Sequence, residues 1–209
     1  MCKRRHMMKM TKKKPIILIL LLLVGIGLTI IYVKETYLRQ REYVVEFEEA
    51  PIYVSDLDDN STLSDKLSKG INYALLLDDM ESVKDVHLSS IKAVLFDICD
   101  KPEKYRSNTV YYFDHQALYN AVANKFGISV EELIEMNNLP ELENNIVEHT
   151  LDGDDFRGYV EVTDVEWIDE AKAEVSYKLY ANSDYFLWDG KVVLQEKDGN
   201  MIFVSNVTP

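Results

Sequence analysis

Between Pro15 and Val33 the chain reads PIILILLLLVGIGLTIIYV, a run without a charged residue. At about 1.5 Å per residue such a helix nearly crosses the ~30 Å hydrocarbon layer of a bilayer, and a helix apolar on every face does not suit a soluble surface. A transmembrane helix is therefore expected over 15–33, preceded by a short tail, 1–14. Residues 34–50 (KETYLRQREYVVEFEEA) are charged and only partly apolar, and Pro51 with the following DLDDNST marks a break, so 34–61 reads as a stalk or linker. Beyond it the apolar positions take a helical period. Leu63, Leu67, Ile71 and Leu75 predict a helix from about Thr62 to Asp79, interrupted in propensity by Gly70. Leu88, Ile91, Leu95, Ile98 and Cys99 share a stripe in a second helix, from about Val83 to Cys99. TVYYF (109–113) has the composition of a short strand. Asp114 is placed to cap a third helix with Leu118, Val122 and Phe126 on its apolar face and Gly127 as its stop. Ser129-Val-Glu-Glu132 is a capping box opening a fourth helix to about Asn138.

After Pro140 the period changes to two. GYVEVTDVEWI (158–168) alternates imperfectly, AEVSYKLY (173–180) alternates well, and KVVLQEKDGNMIFVSNV (191–207) is two strands about Asp198-Gly199, a pair suited to the positive φ angles of a tight hairpin. Asp169-Glu170 marks the preceding hairpin. The expected fold of 62–209 is α+β, with helices packed on the concave face of a C-terminal four-stranded antiparallel meander.

Charge changes the picture. Residues 1–33 hold Lys3, Arg4, Arg5, Lys9, Lys12, Lys13 and Lys14 and no acid; with the whole chain at −13, the remainder carries −20. The positive-inside rule puts the N-terminus in the cytoplasm and the acidic domain outside the cell membrane, in a single-pass topology. Tyr32, Val33 and Tyr37 stand where a cleavage site needs small residues, so an uncleaved signal-anchor is expected. So acidic a domain repels phosphate backbones, which argues against nucleic acid as its partner. Cys2 and Cys99 would lie on opposite sides of the membrane and could not pair.

Few residue patterns suggest chemistry. Asp56-x-Asp58-x-Asn60 begins like a calcium loop, but Ser61 replaces the glycine and Leu67 the closing glutamate; Asp152-Gly-Asp154-Asp155 is also short of ligands. His6, His87, His115 and His149 have no zinc spacing, and neither a metal nor another cofactor is indicated. No nucleophile or phosphate-loop motif occurs, so nothing supports an enzyme. Asp114 and His115, just past the first strand, are the acid and imidazole nearest a possible pocket. Trp167, Tyr177, Tyr180, Tyr185, Phe186 and Trp188 crowd the strands as core, pocket lining or partner face. Of these, Asp114, His115, Trp167, Tyr177 and Trp188 are the pocket or partner-face candidates. Asn60-Ser-Thr and Asn206-Val-Thr have the form of glycosylation acceptors.

The order helix, helix, TVYYFD, helix, then a meander ending in KDGNMIFVSNV resembles the nuclear-transport-factor-2-like, or cystatin-like, superfamily, whose cone encloses a pocket between a curved sheet and its helices. Members also occur as anchored ectodomains, including an assembly subunit of type IV secretion systems. ALYNAVANKFGISVEELIEMNNL (117–139) resembles the helical half of a LysM peptidoglycan-binding module, with flanking strands at Tyr111-Tyr112 and at 146–151. It departs from that pattern at Asp114-His-Gln-Ala-Leu118, where a Gly-Asp-Thr-Leu turn is expected, and at Glu148-His149, where a glycine is usual. Together these point to a noncatalytic, membrane-anchored extracytoplasmic domain engaging an envelope or secretion-apparatus protein. The alternatives are cell-wall glycan binding through the LysM-like segment 111–151 and a small-ligand binder or enzyme using the cone's pocket.

Overall fold

The computed structural model describes residues 13–42, 44–45, 47, 49–89, 91–92, 94, 110–139, 146–150, 158–181 and 184–209. Two compact units result, Met1–Glu42 and Tyr43–Pro209. The first contains helix α1 (Lys13–Glu42), with side chains described from Leu21 to Glu35 and Thr29 Oγ1 donating to the Gly25 carbonyl at 2.9 Å. Among the described residues no helix is long and apolar enough to cross a membrane, and this corrects the transmembrane helix expected over 15–33.

The second unit is α+β. Its strands are β1 (Val44–Val45), β2 (Ile52–Tyr53), β3 (Val110–Asp114), β4 (Ile146–Thr150), β5 (Tyr159–Trp167), β6 (Lys172–Ala181), β7 (Tyr185–Lys197) and β8 (Asn200–Val207). The last four form consecutive antiparallel hairpins, but the sheet is not the four-stranded meander expected. It is a five-stranded antiparallel half-barrel in the order β2-β8-β7-β6-β5, because Ile52 and Tyr53 pair with Met201 and Asn200. Two residues beside a proline are too short to show a period, so β2 left no strand signal in the sequence. A separate three-stranded sheet has the order β1-β3-β4, with β1 parallel and β4 antiparallel to β3.

Local chemistry sets the element ends. The helix expected from Thr62 to Asp79 is two, α2 (Asn60–Leu67) and α3 (Gly70–Leu75), broken where Gly70 takes a φ of +54°. A 3-10 turn at Val83–Asp85 leads into the next helical residues, of which Leu88, Ile91 and Val94 are buried; Cys99 lies outside the described residues. Asp114 accepts from the Ala117 N–H and caps α4 (His115–Phe126), which Gly127 ends at φ +59°. Ser129 and Glu132 form the reciprocal box that opens α5 (Val130–Asn137). Asp198 and Gly199 turn the last hairpin at φ +54° and +83°, and the irregular alternation of β5 is a bulge between Val162 and Asp164.

One face of the large sheet turns Val160, Val162, Ala173, Val175, Tyr177, Leu179, Val192 and Leu194 inward. They share a core with Leu63, Leu67 and Ile71 and with Leu118, Val122 and Leu133 of α4 and α5. Helix α2 also completes the edge strand β5. Ser64 and Ser68 hydroxyls accept the N–H groups of Val162 at 2.9 Å and Val160 at 2.8 Å, so this part of the edge offers no free donors to another chain.

Candidate functional site

The pocket or partner-face candidates Asp114, His115, Trp167, Tyr177 and Trp188 fall into three places. Asp114 and His115 sit at the start of α4. Burial and the Lys92 ammonium hold the His115 imidazole below its usual pKa, against the opposing pull of Asp114. Its ring stacks on Tyr119 at 5.8 Å, and its buried Nε2 finds no hydrogen-bond partner among the described residues. The Asp114 carboxylate is committed to the cap. Trp167 stands 44% exposed at the tip of the β5-β6 hairpin.

Tyr177 and Trp188 lie instead on the inner side of β6 and β7. The Tyr177 hydroxyl donates to Asn206 Oδ1 at 2.7 Å, while Asn206 Nδ2 donates to the Asp78 carbonyl at 2.8 Å. Burial, offset in part by the hydrogen bond to Asn206, pushes the Tyr177 phenol up to about 12. The Trp188 indole N–H lies beside the same phenol without closing a well-formed hydrogen bond. Gly190 faces Tyr177 across the strand pair, and a Cβ there would meet the ring at 2.4 Å. The Tyr177 ring thus lies close over Gly190, where a residue without a Cβ is needed. Asn206 is 1% exposed and its amide is fully engaged, so this glycosylation-like position is closed.

A fourth place had no motif to announce it. The Ala50 carbonyl accepts from Asn72 Nδ2 at 2.7 Å and Lys125 Nζ at 3.1 Å, and the Pro51 carbonyl accepts from Lys66 Nζ at 2.9 Å. Three side chains from α2, α3 and α4 therefore grip the chain just before β2. Burial lowers the Lys125 ammonium to about 8, opposed by Glu49 and helped by Lys66. Beside it a cavity of about 350 Å³ is lined by Asn124, Lys125, Lys197, Asn200, Met201 and Ile202 among others. The available signal was a lysine on the apolar stripe of α4, three residues after Val122.

A fifth is on the outer face of the large sheet. Tyr159 and Tyr180, paired across β5 and β6, stack at 4.6 Å and 10°, and Phe186 meets Tyr180 edge-on at 5.8 Å. Phe186 is 46% exposed and Tyr159 39%; Tyr185, the residue before Phe186 in β7, is exposed without joining this ring contact. Tyr180 donates its hydroxyl to Glu161 Oε2 at 3.0 Å, and that bond, then burial, raises its pKa. Burial and the Asp184 carboxylate raise that of Tyr159. Tyr180, Tyr185 and Phe186 were visible in the sequence as an aromatic cluster; Tyr159 joins them only through strand register. Compared with known proteins, the chain matches no family model, no curated protein and no solved structure.

Proposed function

We propose that this chain is a noncatalytic, membrane-anchored extracytoplasmic binding or assembly domain that engages a protein of the cell envelope or of a secretion apparatus. The observation that carries the reading is the aromatic group of Tyr159, Tyr180 and Phe186, exposed at Tyr159 and Phe186, because contiguous exposed apolar surface on a soluble domain is characteristic of an interaction site. The sidedness proposed here, basic end inside and acidic domain outside, rests on charge, seven cations within 1–33 against −20 in the remainder. Affinity purification of the full chain from membranes should capture an envelope protein at a fixed ratio. Protease added to intact cells should digest the acidic domain and spare the basic tail. A domain protected from protease, or a chain recovered alone, removes this reading.

Peptidoglycan binding is the second reading, favoured by one observation. The LysM-like segment is arranged as strand, helix, helix, strand, β3-α4-α5-β4, with β3 and β4 paired antiparallel from Val110 opposite Thr150 to Asp114 opposite Ile146. Gln116 and Asn120, exposed on α4 and hydrogen-bonded to each other at 3.2 Å, stand near its first turn. On this reading the full chain sediments with purified peptidoglycan, and replacing both residues by alanine releases it without lowering thermal stability. Failure of the wild-type chain to sediment removes the reading. The likeness to the cone superfamily adds a small-ligand reading, for which the cavity beside Lys125 is the available space.

A further inference from the structure

The outer face of the large sheet is polar over most of its length, as alternation requires of a sheet with one buried face. Glu161, Lys178 and Asp189 lie side by side across β5, β6 and β7, and Asp164, Ser176 and Lys191 form the next row. At the opposite end the rule breaks: Tyr159, Tyr180 and Phe186 occupy three adjoining outward positions. Ring faces there are electron-rich. Glu161, Asp184 and Asp189 surround them and outnumber the neighbouring Lys178, and both phenols have pKa values raised above the usual one. Aromatic rings with carboxylates at their rim are complementary to a cation, above all to a guanidinium, which stacks on the ring while hydrogen-bonding the acid. The acidic domain adds long-range attraction of the same sign.

We infer that the outward row Tyr159, Tyr180 and Phe186, with Glu161 and Asp184, docks an arginine- or lysine-bearing segment of a partner protein. The inference rests on the protein-binding reading above and names the chemistry of that partner. The carboxylates select it over a glycan, which would also stack on the rings but gains nothing from negative charge.

Fluorescein-labelled nona-arginine is titrated against the full chain in neutral detergent, with nona-glutamate as the control and chitohexaose as competitor. Binding should weaken at least tenfold in Phe186→Ala and in Glu161→Gln/Asp184→Asn, and less than twofold in Asp164→Asn/Glu166→Gln on the same face. Tyr159→Ala, which removes an exposed ring stacked on Tyr180, keeps the test valid if Phe186→Ala melts early. Equal weakening by the Asp164/Glu166 pair, no nona-arginine binding by the wild type, nona-glutamate binding as well as nona-arginine, or displacement by chitohexaose overturns the assignment. The purification from membranes separates the two levels. Equal capture of one envelope protein by wild type and Phe186→Ala overturns the surface and leaves the reading standing. No capture by the wild type, with the peptide pattern intact, removes the reading and leaves the cation site.

Discussion

At the residue scale, two buried polar groups set the energetics that are easiest to test. Tyr177 gives its only proton to Asn206, whose amide reaches back to the Asp78 carbonyl and so ties β6 and β8 to the segment after α3. Tyr177→Phe leaves Asn206 Oδ1 buried without a donor. Chemical denaturation should show a loss of about 1–3 kcal/mol, and an unchanged midpoint would mean that the pair contributes nothing. Lys125 has the opposite character, since its charge is disfavoured by folding. Its pKa falls from 10.5 in the unfolded chain to about 8 in the native one, so between those values the unfolded state holds more protons. Stability must then rise with pH across that window, by on the order of 1–2 kcal/mol between pH 8 and 10. Above pH 10 the buried phenols of Tyr73 and Tyr177, held protonated to about 12, reverse the trend. Lys125→Met should flatten the rise, leaving the smaller slope from Lys92, whose pKa burial also lowers. Urea midpoints at pH 8, 9 and 10 for both proteins measure it.

At the scale of elements, α2 does more than cover the sheet. Ser64 and Ser68 donate back to the carbonyls of Asn60 and Ser64, which frees their oxygen lone pairs for the edge N–H groups of β5. Replacing either serine by alanine should cost about 1–3 kcal/mol and speed amide exchange at Val160 or Val162 specifically. Exchange unchanged at both amides would show that the edge is closed by something else. Helices α4 and α5 test a different connection. Leu118, Val122 and Leu133 are fully buried in one core with the strands of 159–207, so Leu118→Ala and Leu133→Ala should each cost about 2–4 kcal/mol and destabilise the whole unit in a single transition. A separate early transition confined to 110–150 would instead mark an independently folding strand-helix-helix-strand module.

At the scale of the molecule, the entry of the chain into its domain is the sensitive region. Ala50, Ile52 and Leu57 are buried, β2 completes the large sheet, and three side chains grip the carbonyls of Ala50 and Pro51. A chain truncated to begin at Tyr43 should melt cooperatively. One beginning at Thr62 loses β2 and the gripped segment together, uncovers the β8 edge, and should be unfolded or aggregated at the same temperature. Equal melting of the two would show that residues 43–61 are dispensable to the core.

Read alone, the sequence determined what is decided within a few residues: the cap at Asp114, the box at Ser129 and Glu132, the stop at Gly127, the hairpin at Asp198-Gly199 and the alternation of β6. Each depends on hydrogen bonds and side-chain periods that close between near neighbours, so each is legible without the fold. Tertiary structure decided the rest. Ile52 and Tyr53 are a strand only because β8 offers an edge to them, Lys125 is a buried amine only because Ala50 passes over it, and Asn206 is closed only because Tyr177 and Asp78 take up its amide. Tyr159 becomes part of an aromatic surface only through the register that sets it opposite Tyr180. These are contacts between residues distant in sequence, and no local pattern encodes which partners the folded sheet will bring together.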